Sequence, residues 1–240
     1  MLYYDDSSAA PSPSHCEYVY TAAEESIKKP HRDFSDKVKK QAFEWMAQLE
    51  GWCSDLKATT LVDLVLKTKP EIIVEIGVWG GKSLIPMACA LKANEKGTIF
   101  GIDPWSSFAS TDEVKEEANH NFWARADHEW IMRGLIDKIE QFDLKDRVVL
   151  IRNSSENAPI ILDIDILHID GNHSEKSSYS DVTKWVPLLK AGGWIIFDDM
   201  TWCEKGIFTT AKAVKWLNEN CTKIAQFEDN YCVWGIWVKP

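Results

Sequence analysis

The stretch Ile166-Leu167-His168-Ile169-Asp170-Gly171-Asn172-His173 decides the reading of this chain, together with its echo Ile195-Ile196-Phe197-Asp198-Asp199. Each is a short apolar run, the pattern of a strand covered on both faces, and each stops abruptly at carboxylate. Asp198 follows Asp170 by 28 residues, which leaves room for one helix between the runs. Two such strands can lie parallel and adjacent, joined by a right-handed crossover. In a parallel sheet the carboxyl ends of the strands open on one edge, where ligands bind. The sequence therefore predicts that Asp170, Asp198, Asp199 and the imidazole of His173 converge there, as a hard-cation site in an enzyme.

Strand and helix patterns alternate from Glu71 onward. Strands are expected at 72–76, 98–103, 147–152, 164–170 and 194–198, and helices at about 83–92, 175–189 and 209–220. Ala191-Gly192-Gly193 reads as a helix-stop turn. The last apolar runs, 223–227 and 231–238, are separated only by Glu228-Asp229-Asn230, too few residues for a crossover, so they must pair antiparallel. The fold class is α/β, a doubly wound seven-stranded sheet of five parallel strands plus a C-terminal hairpin. Between 104 and 146 the apolar positions, among them Phe122, Trp130, Ile131 and Leu135, suggest two inserted helices serving as a lid or substrate wall.

Ahead of this domain (70–240), residues 1–33 carry a Ser/Pro-rich segment and read as a mobile arm. Phe34, Val38, Ala42, Trp45, Leu49 and Trp52 then recur at steps of four and three, an amphipathic helix. A shorter helix is expected at about 60–68 on Leu61, Leu64 and Val65, closed by Pro70, which makes 34–69 a helical extension.

A length of 240 residues accommodates one α/β domain plus an appendage. The net charge of -10 argues against nucleic acid or an anionic membrane as partner. No basic-then-apolar leader and no long apolar run is present, and the six cysteines lack zinc spacing, so a cytoplasmic protein with reduced thiols is expected. Twelve tryptophans are unusual; packing of the insertions is favoured over grip on an aromatic or sugar-like ligand.

The first strand runs into Glu75-Ile76-Gly77-Val78-Trp79-Gly80-Gly81-Lys82-Ser83, where glycines allow a sharp turn and close approach of a ligand to the backbone. Gly81-Lys82-Ser83 resembles the end of a phosphate-binding loop, but the glycine required five residues earlier is Ile76. The second strand ends at Asp103, 26 positions after Gly77, where a carboxylate can accept ribose hydroxyls of an adenosine ligand. After the third strand, Asn153-Ser154-Ser155-Glu156 offers polar groups to an adenine edge.

In this order, Glu75-Ile76-Gly77, Asp103, Ile169-Asp170-Gly171-Asn172-His173 and the Gly192-Gly193 turn before Asp198-Asp199 resemble the class I S-adenosylmethionine-dependent methyltransferases. Within them the chain is most similar to the group named methyltransferase domain 24, related to cephalosporin-hydroxylase-like and sugar or macrolide O-methyltransferases. The likeness covers about 70–238. It implies a Rossmann-like fold that takes S-adenosyl-L-methionine, with Glu75, Gly77, Gly80, Gly81 and Ser83 along the methionine part. It puts Asp103 on the ribose, Ser155 and Glu156 near the adenine, and Asp170 beside the donor.

Metal-dependent relatives carry one ligand after strand four and two after strand five, which implies Mg2+ or another divalent ion on Asp170, Asp198 and Asp199. The physical need is that a neutral hydroxyl is a poor nucleophile, and a hard cation lowers its pKa and fixes its oxygen. His173 is the expected base, with Asp170 beside it as a catalytic group; catechol-type relatives use a lysine at that point, which this chain lacks. His168, inside an apolar run, is expected to be a satisfied core histidine, and His120 and His128 solvated or packing residues. Trp105 and Trp202 are candidate pocket walls. The expected activity is methyl transfer to a hydroxyl of a sugar, glycoside or other small natural product, in a chain whose aromatic N-terminal helix offers a homodimer surface. A magnesium- and ATP-binding P-loop protein, a metal-independent transferase and a non-catalytic methyltransferase-like protein stay open as alternatives.

Overall fold

A computed structural model describes residues 29–240; positions 1–28 of the expected N-terminal arm, Cys16 among them, lie outside the described residues, and positions 29–33 belong to the first helix instead. Short runs rich in Ile, Val and Leu form five parallel strands: β1 (Ile72–Ile76), β2 (Thr98–Asp103), β3 (Val148–Arg152), β4 (Ile164–Ile169) and β5 (Leu189–Phe197). A two-residue pair, β6 (Cys203–Glu204) and β7 (Ile207–Phe208), stands apart, and β8 (Thr222–Glu228) with β9 (Val233–Val238) forms the closing hairpin. The main sheet runs β3-β2-β1-β4-β5-β9-β8, with β9 antiparallel to β5. Its strand order reverses between β1 and β4, the place where a crevice opens at the carboxyl edge.

Register turns that edge into a row of chemistry. Ile76 pairs with both Ile102 and Ile169, and Ile169 with Phe197. One step further, Gly77 N donates to Ile102 O, Asp170 N to Ile76 O and Asp198 N to Ile169 O. Gly77, Asp170 and Asp198 thus come just after the last paired residues of β1, β4 and β5, and Asp103, paired with Arg152, is the last residue of β2 beside them.

Helices cover both faces. α1 (Lys29–Met46) and α2 (Asp55–Thr68) pack on α3 (Leu84–Ala93), and Val38, Ala42, Leu61 and Val65 share one core with Leu84, Ile85 and Met87. The N-terminal extension is therefore part of the sheet's own core. Between β2 and β3 lie α4 (Ser107–Thr111), α5 (Glu117–Arg125) and α6 (His128–Gln141). On the opposite face, α7 (Glu175–Trp185) and α8 (Ala211–Asn220) bury Val182, Trp185, Ala213 and Leu217 against Val74, Leu167 and Ile195.

Four expectations shift. The first helix ends at Met46, and Trp52 falls in the loop after it. The second begins at Asp55 rather than near 60, because Ser54 caps it by accepting the Lys57 N–H at 3.1 Å. The 104–146 interval holds three helices. The last of them, α6, buries Ile131, Leu135 and Ile139 in the core, at about 1.5–3 kcal/mol per side chain, so it is the ordinary β2–β3 crossover and only α4 and α5 overhang the edge. Gly192 and Gly193 do not stop a helix: α7 ends at Trp185, and both glycines lie inside β5, where Gly192 N donates to Lys239 O and Gly193 O accepts from Lys239 N.

Candidate active site

A cavity of about 1200 Å3 opens at the carboxyl edge. A single small-ligand site takes roughly 300–1000 Å3, so this one has room for two molecules side by side. Its β1–β3 side is built by backbone. Gly77 has φ +82°, and a Cβ there would lie 2.0 Å from the Asp170 carbonyl oxygen, so only glycine lets the turn after β1 pass the end of β4. Asp103 holds that turn: Oδ2 accepts the N–H groups of Val78 and Trp79 at 3.0 and 2.9 Å, and Oδ1 accepts that of Trp105 at 2.7 Å. Burial pushes the Asp103 carboxyl up, opposed by these bonds. Three of its four acceptor positions are used, which leaves one for a ribose hydroxyl rather than two.

Gly77, Ser83, Asp103, Ser155, Glu156 and Asp170 line the cavity. Glu75, Gly80 and Gly81 are not among the lining residues. Glu75 is fully buried beneath the floor, accepting from Ser83 Oγ and facing His168 Nδ1 at 3.2 Å. A Cβ on Gly80 would meet Glu50 O at 2.4 Å, and one on Gly81 would meet Leu135 at 2.4 Å, so both are glycine for packing. Ser155 Oγ donates at 2.5 Å to Oδ1 of Asp181, a buried α7 residue that also borders the cavity. Burial lifts the Asp181 carboxyl to about 7, although the Ser155 hydrogen bond and Lys184 pull the other way.

The β4–β5 side is built by charge. Asp198 is buried, and its Oδ2 lies 2.6 Å from Lys57 Nζ and 3.2 Å from His168 Nε2. His168 thereby bridges Glu75 and Asp198, the satisfied core histidine that the apolar run implied. Burial alone would push His168 down, but the two carboxylates hold it up at about 10. Burial likewise opposes the charge on Lys57, and Asp198 with Asp170 outweighs it, so the ammonium is held above the ordinary lysine range. Burial would raise Asp198, yet Lys57 and His168 bring it below the usual carboxylate range. Asp170 is pushed well up by burial and by Asp198, with Lys57 opposing. Two buried oxygens, Glu75 Oε2 and Asp198 Oδ1, have no hydrogen-bond partner.

The expected metal set does not assemble as expected. Among the described residues, ligand atoms within 4.8 Å of one another occur in two groups, His168/Asp170/Asp198 and Asp170/His173/Asp199. Asp170 belongs to both, but Asp198 and Asp199 part company. Asp199 takes φ +53° and turns to His173, whose Nε2 is 3.2 Å from its Oδ2, whereas Asp198 is committed to Lys57. Burial raises the Asp199 carboxyl, with His173 opposing. The trio Asp170, Asp198 and Asp199 thus does not fit a shared divalent ion.

His173 is half-buried beside Trp202, ring centroids 4.5 Å apart, and its carbonyl accepts from Thr209 Oγ1 at 2.5 Å. Trp202 is a cavity wall as expected; Trp105 is not, being buried with Nε1 donating to Trp79 O at 2.9 Å. Trp52, Trp79, Phe122 and Trp123 add an aromatic wall of edge-on pairs, so several tryptophans expected only to pack also face the cavity. His128 packs in this cluster and His120 is exposed. The overhang of α4 and α5 is strapped down. Glu204 Oε2 accepts from Lys115 N at 2.6 Å, Glu116 Oε1 from Lys205 N at 2.7 Å, and Asn172 Nδ2 donates to Ala109 O and Asp112 O.

Lys57 and Asp181 escape a reading of the sequence by motif. A signal for Lys57 is nonetheless present: positions 57, 58, 61, 62 and 65 form the buried stripe of α2, and a lysine on an apolar stripe needs a buried partner. Asp181 carries none, since an aspartate inside a polar helical segment reads as solvated.

Comparison with known proteins agrees with this geometry. The model of the family described as "Methyltransferase domain" (Methyltransf_24) matches residues 74–200. An uncharacterized protein, y4gI, of Sinorhizobium fredii is 28% identical over 144 residues, 60% of this chain; the chain spans 14% of that relative's length. Among solved structures, the O-methyltransferase TomG of Streptomyces achromogenes, in complex with S-adenosylmethionine, is similar at a TM-score of 0.58 and 15% identity, over 86% of this chain and 89% of that one. The S-adenosylhomocysteine-bound methyltransferase PaMTH1 of Podospora anserina gives 0.58 and 15%, over 93% and 99%. An O-methyltransferase of Bacillus cereus gives 0.53 and 18%, over 89% and 94%. With the strand order, the glycine turn and the acidic edge all in place, the chain belongs to this methyltransferase domain family of the class I S-adenosylmethionine-dependent methyltransferases.

Proposed function

We propose that this protein transfers the methyl group of S-adenosylmethionine to a hydroxyl of a small molecule such as a sugar, glycoside or other natural product. The observation that carries the reading is the shared cavity. The glycine turn, Asp103 and Ser155 lie at one end and the His173–Asp199 pair at the other, with Asp170 between the groups. With Nε2 held by Asp199, Nδ1 is the nitrogen of His173 left to take a proton. As the acceptor oxygen attacks the sulfonium methyl, its proton passes to His173. The C–S bond breaks with its electron pair on sulfur, leaving S-adenosylhomocysteine and a methyl ether. Asp199 orients the imidazole and balances the charge it gains. No step needs Asp198, which lies buried under the floor.

The cavity is walled by Trp52, Trp123 and Trp202 with Glu204 and Asn230 among the lining residues, a mixture that suits a ring with hydroxyl groups. The lid of α4 and α5 would exclude water from the sulfonium. The described cysteines 53, 89, 203, 221 and 232 are unpaired, and no described helix is long and apolar enough to cross a membrane; both support work in the cytoplasm.

Calorimetry with S-adenosylhomocysteine and with ATP tests the reading. Saturable binding of the first and none of the second is expected; the reverse would overturn it in favour of a nucleoside triphosphatase. Transfer of labelled methyl to a panel of glycosides and phenols then defines the acceptor.

A further inference from the structure

The proposed chemistry leaves Lys57 unused, although it is a buried lysine that α2 brings to the cavity wall. Its ammonium is 2.6 Å from Asp198 Oδ2, 3.4 Å from Cys232 Sγ and 5.8 Å from the centroid of the Trp234 ring. The position is built. Ser54 accepts the Lys57 N–H and donates Oγ at 2.6 Å to Asp229 Oδ2, and Asp229 in turn accepts from Tyr231 N, Cys232 N and Trp234 Nε1. The residue that starts the helix thereby also fixes where the lysine enters the site.

The charge count gives the lysine a task. Glu75 and Asp198 are buried carboxylates beneath one sheet edge, the half-buried Asp170 lies beside them on the cavity wall, and His168 and Lys57 are the basic groups set against them. His168, Asp170 and Asp198 present ligand atoms within 4.8 Å of one another, and Oδ1 of Asp198 has no partner. This is a cation-sized acidic set, and Lys57 is already seated on it.

We propose that Lys57 is the resident cation of this carboxylate edge: its ammonium takes on Asp198 the place of a divalent ion, so donor binding and methyl transfer proceed without one. The proposal rests on the methyltransferase reading and adds a positioning residue to it. A tethered ammonium balances charge but gives an acceptor oxygen no open coordination position. The acceptor proton therefore has to leave through the His173–Asp199 pair. Removing the ammonium would leave Asp198 Oδ2 to His168 alone and Oδ1 still without a partner beside Asp170, which makes a latent metal site.

Manganese binding, followed by electron paramagnetic resonance, tests this without any turnover, using wild type, Lys57→Met and Lys57→Met/Asp198→Asn. Wild type is expected to show no stoichiometric Mn2+ and the same S-adenosylhomocysteine affinity with and without chelator. Lys57→Met is expected to bind one Mn2+ at least about tenfold more tightly than wild type, and the double variant to lose that gain. Tight one-to-one Mn2+ binding by wild type, or a folded Lys57→Met that gains none, would overturn the proposal. Where Lys57→Met does not fold, the wild-type measurement decides: stoichiometric Mn2+ overturns, and chelator-insensitive methyl transfer without it upholds. Failure of S-adenosylhomocysteine to bind at all would instead sink the methyltransferase reading.

Discussion

The two ends of the cavity are made from different materials. The proposed donor end is backbone and hydroxyl: a glycine at φ +82°, three N–H groups on Asp103, a serine on Asp181. The proposed acceptor end is ionic: Lys57, His173, Asp170 and Asp199 line it, over the buried His168 and Asp198. Backbone recognition depends on steric fit and tolerates almost no added atom. Ionic recognition tolerates isosteres but depends on charge balance, since an unpaired buried charge costs several kcal/mol.

Five substitutions sharpen that contrast. Gly77→Ala has the largest expected effect, because its Cβ would sit 2.0 Å from backbone; soluble, cooperatively melting protein should be lost. A normal melting curve would show that the turn can relax, and that shape is not what limits the donor end. His173→Ala should lower kcat by about 10²–10⁴-fold while sparing S-adenosylhomocysteine affinity, as expected for loss of a general base. A change in affinity with kcat intact would move His173 into the donor pocket. Lys57→Ala should cost about 3–5 kcal/mol in urea unfolding, mainly through Asp198 left buried with only His168 against it, and adding Asp198→Asn should restore part of it. Simple additivity would argue that the pair is not coupled.

The smallest effect concerns pH. Asp181, at about 7 when folded, favours its protonated form inside the protein. Its contribution is present at low pH and is lost as pH rises toward and through about 7, because the unfolded chain ionises near 3.8. Asp181→Asn should therefore become more stable relative to wild type by about 2 kcal/mol between roughly pH 5 and pH 8. A pH-independent difference would mean that Asp181 is ionised throughout.

The sheet and its reactive edge are readable because register needs only periodicity and strand ends. Ile164 to Asp170 and Trp194 to Asp198 announce both the strands and the carboxylates that terminate them. The hairpin is readable from a three-residue gap. Partnership is harder. Asp198 and Asp199 are adjacent in sequence, and only the left-handed backbone of Asp199 sends one to His173 while the other stays with Lys57. Gly80 and Gly81 look like ligand glycines because their reasons, Glu50 and Leu135, come from distant segments. The apolar pattern alone starts α2 too late; the Ser54 cap adds a turn ahead of it, and Lys57 lies in that turn.

The Asp229 turn has a consequence for how the enzyme comes into being. It joins Ser54 to the β8–β9 hairpin across 175 positions, and Lys57 meets Asp198 across 141. A ribosome releases the lysine long before the carboxylate, and the clasp that aims it is among the last pieces to emerge. A nascent chain can thus form the β1–β3 half of its sheet while its ammonium still lacks both the carboxylate and the clasp. On the proposed chemistry, the site is complete only when the closing hairpin reaches back to the first helices, so a chain interrupted before the hairpin would be folded in part and idle in full.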